Sequence, residues 1–180
     1  MNLPNKLTIL RVILVPVFIL FLMCDITGGA DKWIALAIFI IASLTDMLDG
    51  KIARKHNLVT NFGKFMDPLA DKLLVCSAFI CFIELGKMPT WMVLIVIARE
   101  FIISGFRLVA SDNGVVIAAS MWGKYKTAIS MVMIGFVIAD IQIPVFQVVT
   151  QVLIWVALIL TVVSLVDYIL KNKDIFKGSM

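Results

Sequence analysis

Residues 143–166 read IPVFQVVTQVLIWVALILTVVSLV, twenty-four residues without a charge. A hydrocarbon core of about 30 Å takes about 20 apolar helical residues to cross, so this block alone predicts a membrane span. Outward from it the same texture recurs in shorter pieces, at 12–24, 33–45, 73–83, 91–103 and 128–139, the fourth broken by Arg99 and Glu100. These pieces stop at 11 to 13 residues, too short to cross alone. Blocks of that length also suit the buried helices of a soluble protein. Composition decides against the soluble reading. The chain of 180 residues is 62% hydrophobic and 16% charged, with a mean hydropathy of +1.05. Ordinary soluble domains are about 45–50% apolar and about 25% charged. The shorter blocks are therefore expected to be membrane helices whose remaining turns carry polar residues directed into a bundle. Apolar residues come in blocks and not in alternation, which excludes a transmembrane barrel. The expected class is all-α and polytopic.

Six helices place turns at about 25–32, 84–90 and 140–144 on one side of the membrane. The opposite side then receives Lys6, Arg11, Lys51, Arg54, Lys55, Lys64, Lys72, Arg99, Arg107, Lys124, Lys126, Lys171, Lys173 and Lys177, which are 14 of the 16 basic residues. Only Lys32 and Lys87 remain with the three turns. The positive-inside rule makes the lysine-rich side cytoplasmic, so the expectation is six spans in the cell membrane with both termini inside. The run after Lys6 and Arg11 leads straight into the protein, which does not read as a cleavable signal. No internal repeat divides the chain, and residues 1–180 read as a single membrane domain. Cys24, Cys76 and Cys81 are odd in number, lack metal-ligand spacing and read as packing residues. A net charge of +4 is too small to argue for nucleic acid.

The chemistry is concentrated in residues 45–72, TDMLDGKIARKHNLVTNFGKFMDPLADK. Asp46 and Asp49 are three apart and share a helix face, with Gly50 and Ala53 on the same stripe. Small residues there let a ligand or another backbone approach closely. After a short basic loop, Gly63, Asp67 and Asp71 recur every four residues, again on one face. Pro68 is tolerable if it falls in the first turn of that second helix. The two helices are consecutive, antiparallel and joined at the cytoplasmic side, so both acidic faces can meet at one level. Four converging carboxylates repel unless cations intervene, and two divalent ions would offset them charge for charge. The ligands are all oxygen, which favours Mg²⁺ or Mn²⁺ over Zn²⁺. His56, the only imidazole, reads as a loop residue. Two hard cations on aspartates suit in-line substitution at phosphorus.

The spacing Asp46-x-x-Asp49-Gly50-x-x-Ala53-Arg54, eight residues, Gly63-x-x-x-Asp67-x-x-x-Asp71 resembles the full signature of the CDP-alcohol phosphotransferases, with every fixed position present. The opening Asn2-Leu3-Pro4-Asn5-Lys6-Leu7-Thr8-x-x-Arg11 is similar to the phosphatidylglycerophosphate synthase branch of that family. So are Ala98-Arg99-Glu100-Phe101 with Arg107, and Gly123-Lys124-x-Lys126-Thr127. The resemblance implies the six-helix CDP-alcohol phosphotransferase fold, a homodimer and two divalent cations. It implies a reaction joining CDP-diacylglycerol to sn-glycerol 3-phosphate, with phosphatidylglycerophosphate and CMP as products. By the same resemblance Asp46, Asp49, Asp67 and Asp71 are metal ligands, and Asp71 is also the base for the attacking hydroxyl. Gly50, Ala53, Arg54 and Gly63 would lie at CDP-diacylglycerol, with Asn5 and Thr8 beside them.

The second substrate carries a phosphate that must be held while its hydroxyl reacts. Arg99, Arg107, Lys124 and Lys126 fall toward the cytoplasmic side and are the candidate receiver, arginine being favoured for forked phosphate contacts. Free choline, inositol or serine would make no such demand. Another phosphatidyl acceptor is the alternative within the family. A small cation transporter, with the aspartates as its transport site, is the alternative outside it.

Overall fold

The computed structural model describes residues 3–55, 61–112 and 120–172. His56, Lys173, Lys177 and the side chains of residues 3–4, 46–55, 61–68, 71 and 111–112 lie outside the described residues. Among the described residues there are six α-helices and no strand: α1 (Leu3–Met23), α2 (Asp31–Lys55), α3 (Asn61–Glu84), α4 (Thr90–Asp112), α5 (Met121–Ala139) and α6 (Pro144–Lys171). Short connections after α1, α3 and α5 fall where the three turns were expected. Among the described residues two helices, not one, are long and apolar enough to cross a membrane by themselves, Asn5–Met23 and Pro144–Lys171. Block length understated α1, because Lys6 and Arg11 are its only charges and helix hydropathy averages over them. Pro68 does not meet the condition set for it. It is the eighth residue of α3 and stands inside the helix. Pro16 lies inside α1. Membrane helices accommodate such prolines because neighbours re-satisfy the freed backbone group.

The chain divides into two compact units. The first comprises Met1–Met88 with Val137–Asp140, so it holds α1, α2 and α3. Within it α1 packs on both α2 and α3. The buried stripe of α1 is Asn5, Thr8, Arg11, Val15 and Phe18, a helical spacing with its polar members at the N-terminal end. Opposing it are Ala35, Phe39 and Ala42 of α2 and Ala70, Leu74, Ala78 and Phe82 of α3. Alanines at these places let helix backbones approach where lipid supplies no hydrophobic drive. Phe18 and Phe39 fill the remaining space, their ring centroids 6.1 Å apart.

The turn between α1 and α2 is organised by Asp31, the first residue of α2. Its Oδ1 accepts the N–H of Ile26 at 3.2 Å, and both its carboxylate oxygens accept the N–H of Thr27 at 3.1 Å. Gly28 and Gly29 adopt positive φ of 68° and 121°, which turns the chain back to permit this. Burial raises the Asp31 pKa, but bonds from Thr27, Ile26 and Gly29 outweigh it and hold the carboxyl below its usual range. A depressed folded pKa means the charged form contributes stability above the ordinary value of about 3.9 and loses it as pH falls through the lowered one. Asp31→Asn is therefore expected to lower stability at neutral pH, with the difference from the parent closing in acid below that value. Thermal unfolding of both proteins across pH checks this; a difference independent of pH would contradict it.

Lys32 and Lys87, the two basic residues kept with the three turns, both reach Asp140. Lys87 forms an ion pair with its carboxylate at 2.7 Å, and Lys32 donates to its backbone carbonyl at 3.5 Å. Of the cysteines, Cys81 is buried and Cys76 half-buried, as packing residues should be, whereas Cys24 is exposed at the end of α1. An apolar neighbourhood in sequence does not bury a residue at a helix terminus.

The second unit comprises Pro89–Phe136 with Ile141–Met180, and within it α4 packs on α6. The helix α6 has the reverse of a soluble distribution. Its buried residues are Ile154, Ala157, Leu158, Thr161, Ser164 and Tyr168. Its exposed ones include Val145, Val148, Val152, Trp155, Ile159 and Leu170. Thr161 and Ser164 turn inward while many large apolar side chains face outward, with Gln147 and Gln151 exposed near the helix start. Soluble proteins do not expose apolar patches of this extent. A lipid bilayer is the solvent that suits such a surface, and the protein is a membrane protein.

Candidate active site

In the first unit the signature lies on two helices that touch. Asp46, Asp49, Gly50, Ala53 and Arg54 occupy the last turns of α2, and Gly63, Asp67 and Asp71 the first turns of α3. Helical backbone through both stretches keeps Asp46 with Asp49 and Asp67 with Asp71 on shared faces. The packing of α2 on α3, with the 56–60 connection between them, puts both stretches at one end of the unit. The donor set offered there is carboxylate oxygen, supplied from helices that pack together, and it fits hard divalent cations. Among the described residues no three His, Cys, Asp or Glu side chains gather as metal ligands, and the four aspartate side chains are not among those residues.

Because α1 is joined to α2 by a short turn and packs against it, the first turns of α1 stand level with the last turns of α2. Asn5 and Thr8 are buried there. Arg11 is buried beside them, with 1% of its surface exposed. The sequence reading placed Arg11 on the cytoplasmic side and at the end of the opening motif, but gave it no role. Its spacing held the missing signal: Asn5-x-x-Thr8-x-x-Arg11 is one helical stripe. A guanidinium fully enclosed at this level is a candidate functional group.

In the second unit the structure brings two of the four predicted basic residues together. Arg99 of α4 is buried and donates through Nε and Nη2 to Oγ of Ser164, at 3.0 and 2.6 Å. Its Nη1 donates to Oε1 of Glu100 at 3.1 Å. Lys126 of α5, also buried, forms an ion pair with the same Glu100 oxygen. Glu100 thus joins the two cations. Arg107 and Lys124 are exposed, Arg107 with its guanidinium carbon 6.0 Å from the Tyr168 ring centre. Gly123 stands close to Arg99: a Cβ placed on it would lie 3.5 Å from Nη2. Glu100 and Ser164 were missed as site residues. No spacing rule joins Ser164 to Arg99, 65 positions away.

Apolar-surfaced helices, an aspartate signature divided between two packed helices, and buried cations on a third and fourth define a membrane enzyme of phosphoryl transfer. The chain belongs to the CDP-alcohol phosphatidyltransferase family, whose profile matches residues 1–163. It is 43% identical to the CDP-diacylglycerol–glycerol-3-phosphate 3-phosphatidyltransferase of Bacillus subtilis, over 99% of this chain and 98% of that one. It is 36% identical to the proteins of the same name from Rickettsia typhi, over 97% of this chain and 99% of the relative, and from Haemophilus influenzae, over 99% and 95%.

Proposed function

We propose that this chain transfers the phosphatidyl group of CDP-diacylglycerol to sn-glycerol 3-phosphate, giving phosphatidylglycerophosphate and CMP. The observation that carries the proposal is the buried Arg99–Glu100–Lys126 cluster in a chain 43% identical to a relative of that name. Two cations withdrawn from water suit an acceptor that bears its own phosphate. The chain acts as one domain of six membrane spans in the cytoplasmic membrane, with both termini and the active site facing the cytoplasm, and works as a homodimer. The profile match across both compact units supports the single domain, and the lysine distribution supports the orientation.

Asp46, Asp49, Asp67 and Asp71 would hold two divalent cations, Mg²⁺ or Mn²⁺, which when bound draw charge from the diphosphate and its leaving group. Gly50, Ala53 and Gly63 leave room for CDP-diacylglycerol beside those turns, with Arg54, Asn5 and Thr8 as its polar contacts. Arg99 and Lys126 receive the phosphate of the acceptor, assisted from the exposed side by Arg107 and Lys124. Asp71 takes the proton of the acceptor's 1-hydroxyl. The hydroxyl oxygen then bonds to the β-phosphorus of CDP-diacylglycerol as the bond to CMP breaks. Positioning supplies much of the acceleration, so Asp71 needs no raised pKa.

CMP release from CDP-diacylglycerol in mixed micelles tests this directly. Release is expected only with glycerol 3-phosphate and a divalent ion both present, and chelation should stop it. Release with serine or inositol phosphate in place of glycerol 3-phosphate would overturn the acceptor assignment. Arg99→Lys, which loses the fork, is expected to raise the KM for glycerol 3-phosphate about tenfold and leave that for CDP-diacylglycerol unchanged.

A further inference from the structure

We propose that Ser164 is a positioning residue for acceptor recognition, holding one edge of the Arg99 guanidinium so that its other N–H groups serve the acceptor phosphate. This rests on the reading of Arg99 as part of the phosphate receiver. A guanidinium has five N–H donors in a rigid plane. Ser164 Oγ accepts two of them, from Nε and Nη2, which together form one edge of the plane. Glu100 accepts a third, from Nη1. Among the described residues, one N–H on each terminal nitrogen is then left for a ligand. A side chain at position 123 would stand against Nη2, and glycine keeps that space open.

The choice of a hydroxyl has a physical consequence. A carboxylate in its place would grip the same edge more strongly, but with Glu100 it would cancel both positive charges of Arg99 and Lys126, which the phosphate needs. Serine fixes the plane without adding a second negative charge to that of Glu100. Ser164 itself is 1% exposed and sits on the face of α6 that packs on α4, so the grip is built into the helix pairing. Ser164 is out of reach of a bulk-water role.

The test compares Ser164→Ala with the parent, varying each substrate while the other saturates. Loss of a hydrogen bond to a charged group is expected to raise the KM for glycerol 3-phosphate about tenfold. The kcat and the KM for CDP-diacylglycerol should stay within about twofold, which a general packing defect would not allow. In an Arg99→Lys background, where the fork's edge is absent, Ser164→Ala should add no further rise. If Arg99→Lys leaves the glycerol 3-phosphate KM unchanged, the receiver reading fails, and this inference with it. If Arg99→Lys raises that KM but Ser164→Ala does not, or shifts both substrates alike, only the role of Ser164 is overturned.

Discussion

Asp71→Asn is expected to reduce CMP release by about three orders of magnitude or more, the range over which a positioned base contributes. The amide has nearly the shape of the carboxylate but cannot accept the hydroxyl proton, and it offers a divalent ion a neutral oxygen in place of an anionic one. Both proposed duties of Asp71 therefore fail together. Helical backbone runs through α3 on both sides of the position, and the substitution leaves chain volume unchanged, so insertion and folding should survive. Rates measured over a wide range of divalent ion separate the two duties. If added Mg²⁺ or Mn²⁺ restored parental rates, Asp71 would be a ligand only. A variant within tenfold of the parent under ordinary conditions would remove Asp71 from the mechanism altogether.

Glu100→Ala is the second large effect, this time on stability. The Glu100 side chain is 17% exposed, those of Arg99 and Lys126 only 8% and 3%, so the two ion pairs are largely withdrawn from water. Exposed pairs contribute at most about 1 kcal/mol, but removing the partner of a buried charge costs about 3–5 kcal/mol. Here one truncation leaves two cations together. Reversible unfolding in mixed micelles should show a loss in that range, with Glu100→Gln falling between the alanine variant and the parent. Pairing Glu100→Gln with Lys126→Met should recover much of the loss, because an apolar side chain of similar length removes one stranded charge. A cost under about 1 kcal/mol for Glu100→Ala would mean that water screens the cluster as it does a surface pair.

The difference between these two residues shows what a linear reading can reach. Asp71 belongs to a run in which helical periodicity acts within one segment. Residues three and four apart share a face whatever the rest of the chain does, and Asp46, Asp49, Asp67 and Asp71 could be grouped before any fold was known. Arg11 was legible on the same principle but was read only as a charge and as the end of the opening motif. Glu100 was visible only as the neighbour of Arg99. Its work depends on Lys126 arriving from another helix.

Several local features followed the same division. The connections after α1, α3 and α5 were readable, because charge, glycine and proline interrupt apolar runs by their own chemistry. The interior place of Pro68 was not, since the start of α3 at Asn61 is set by helix continuity and not by proline. The exposure of Cys24 likewise depends on where α1 ends.

Composition and periodicity settled the all-helical class, the membrane as solvent and the carboxylate signature. Hydropathy and helical register are properties of a segment, present before any partner is chosen. The fold alone chose which cations were buried, that Glu100 would bridge Arg99 to Lys126, and that Ser164 would hold the guanidinium edge. Those contacts join side chains on different helices, and their energies exist only once the helices have packed and water has left the space between them.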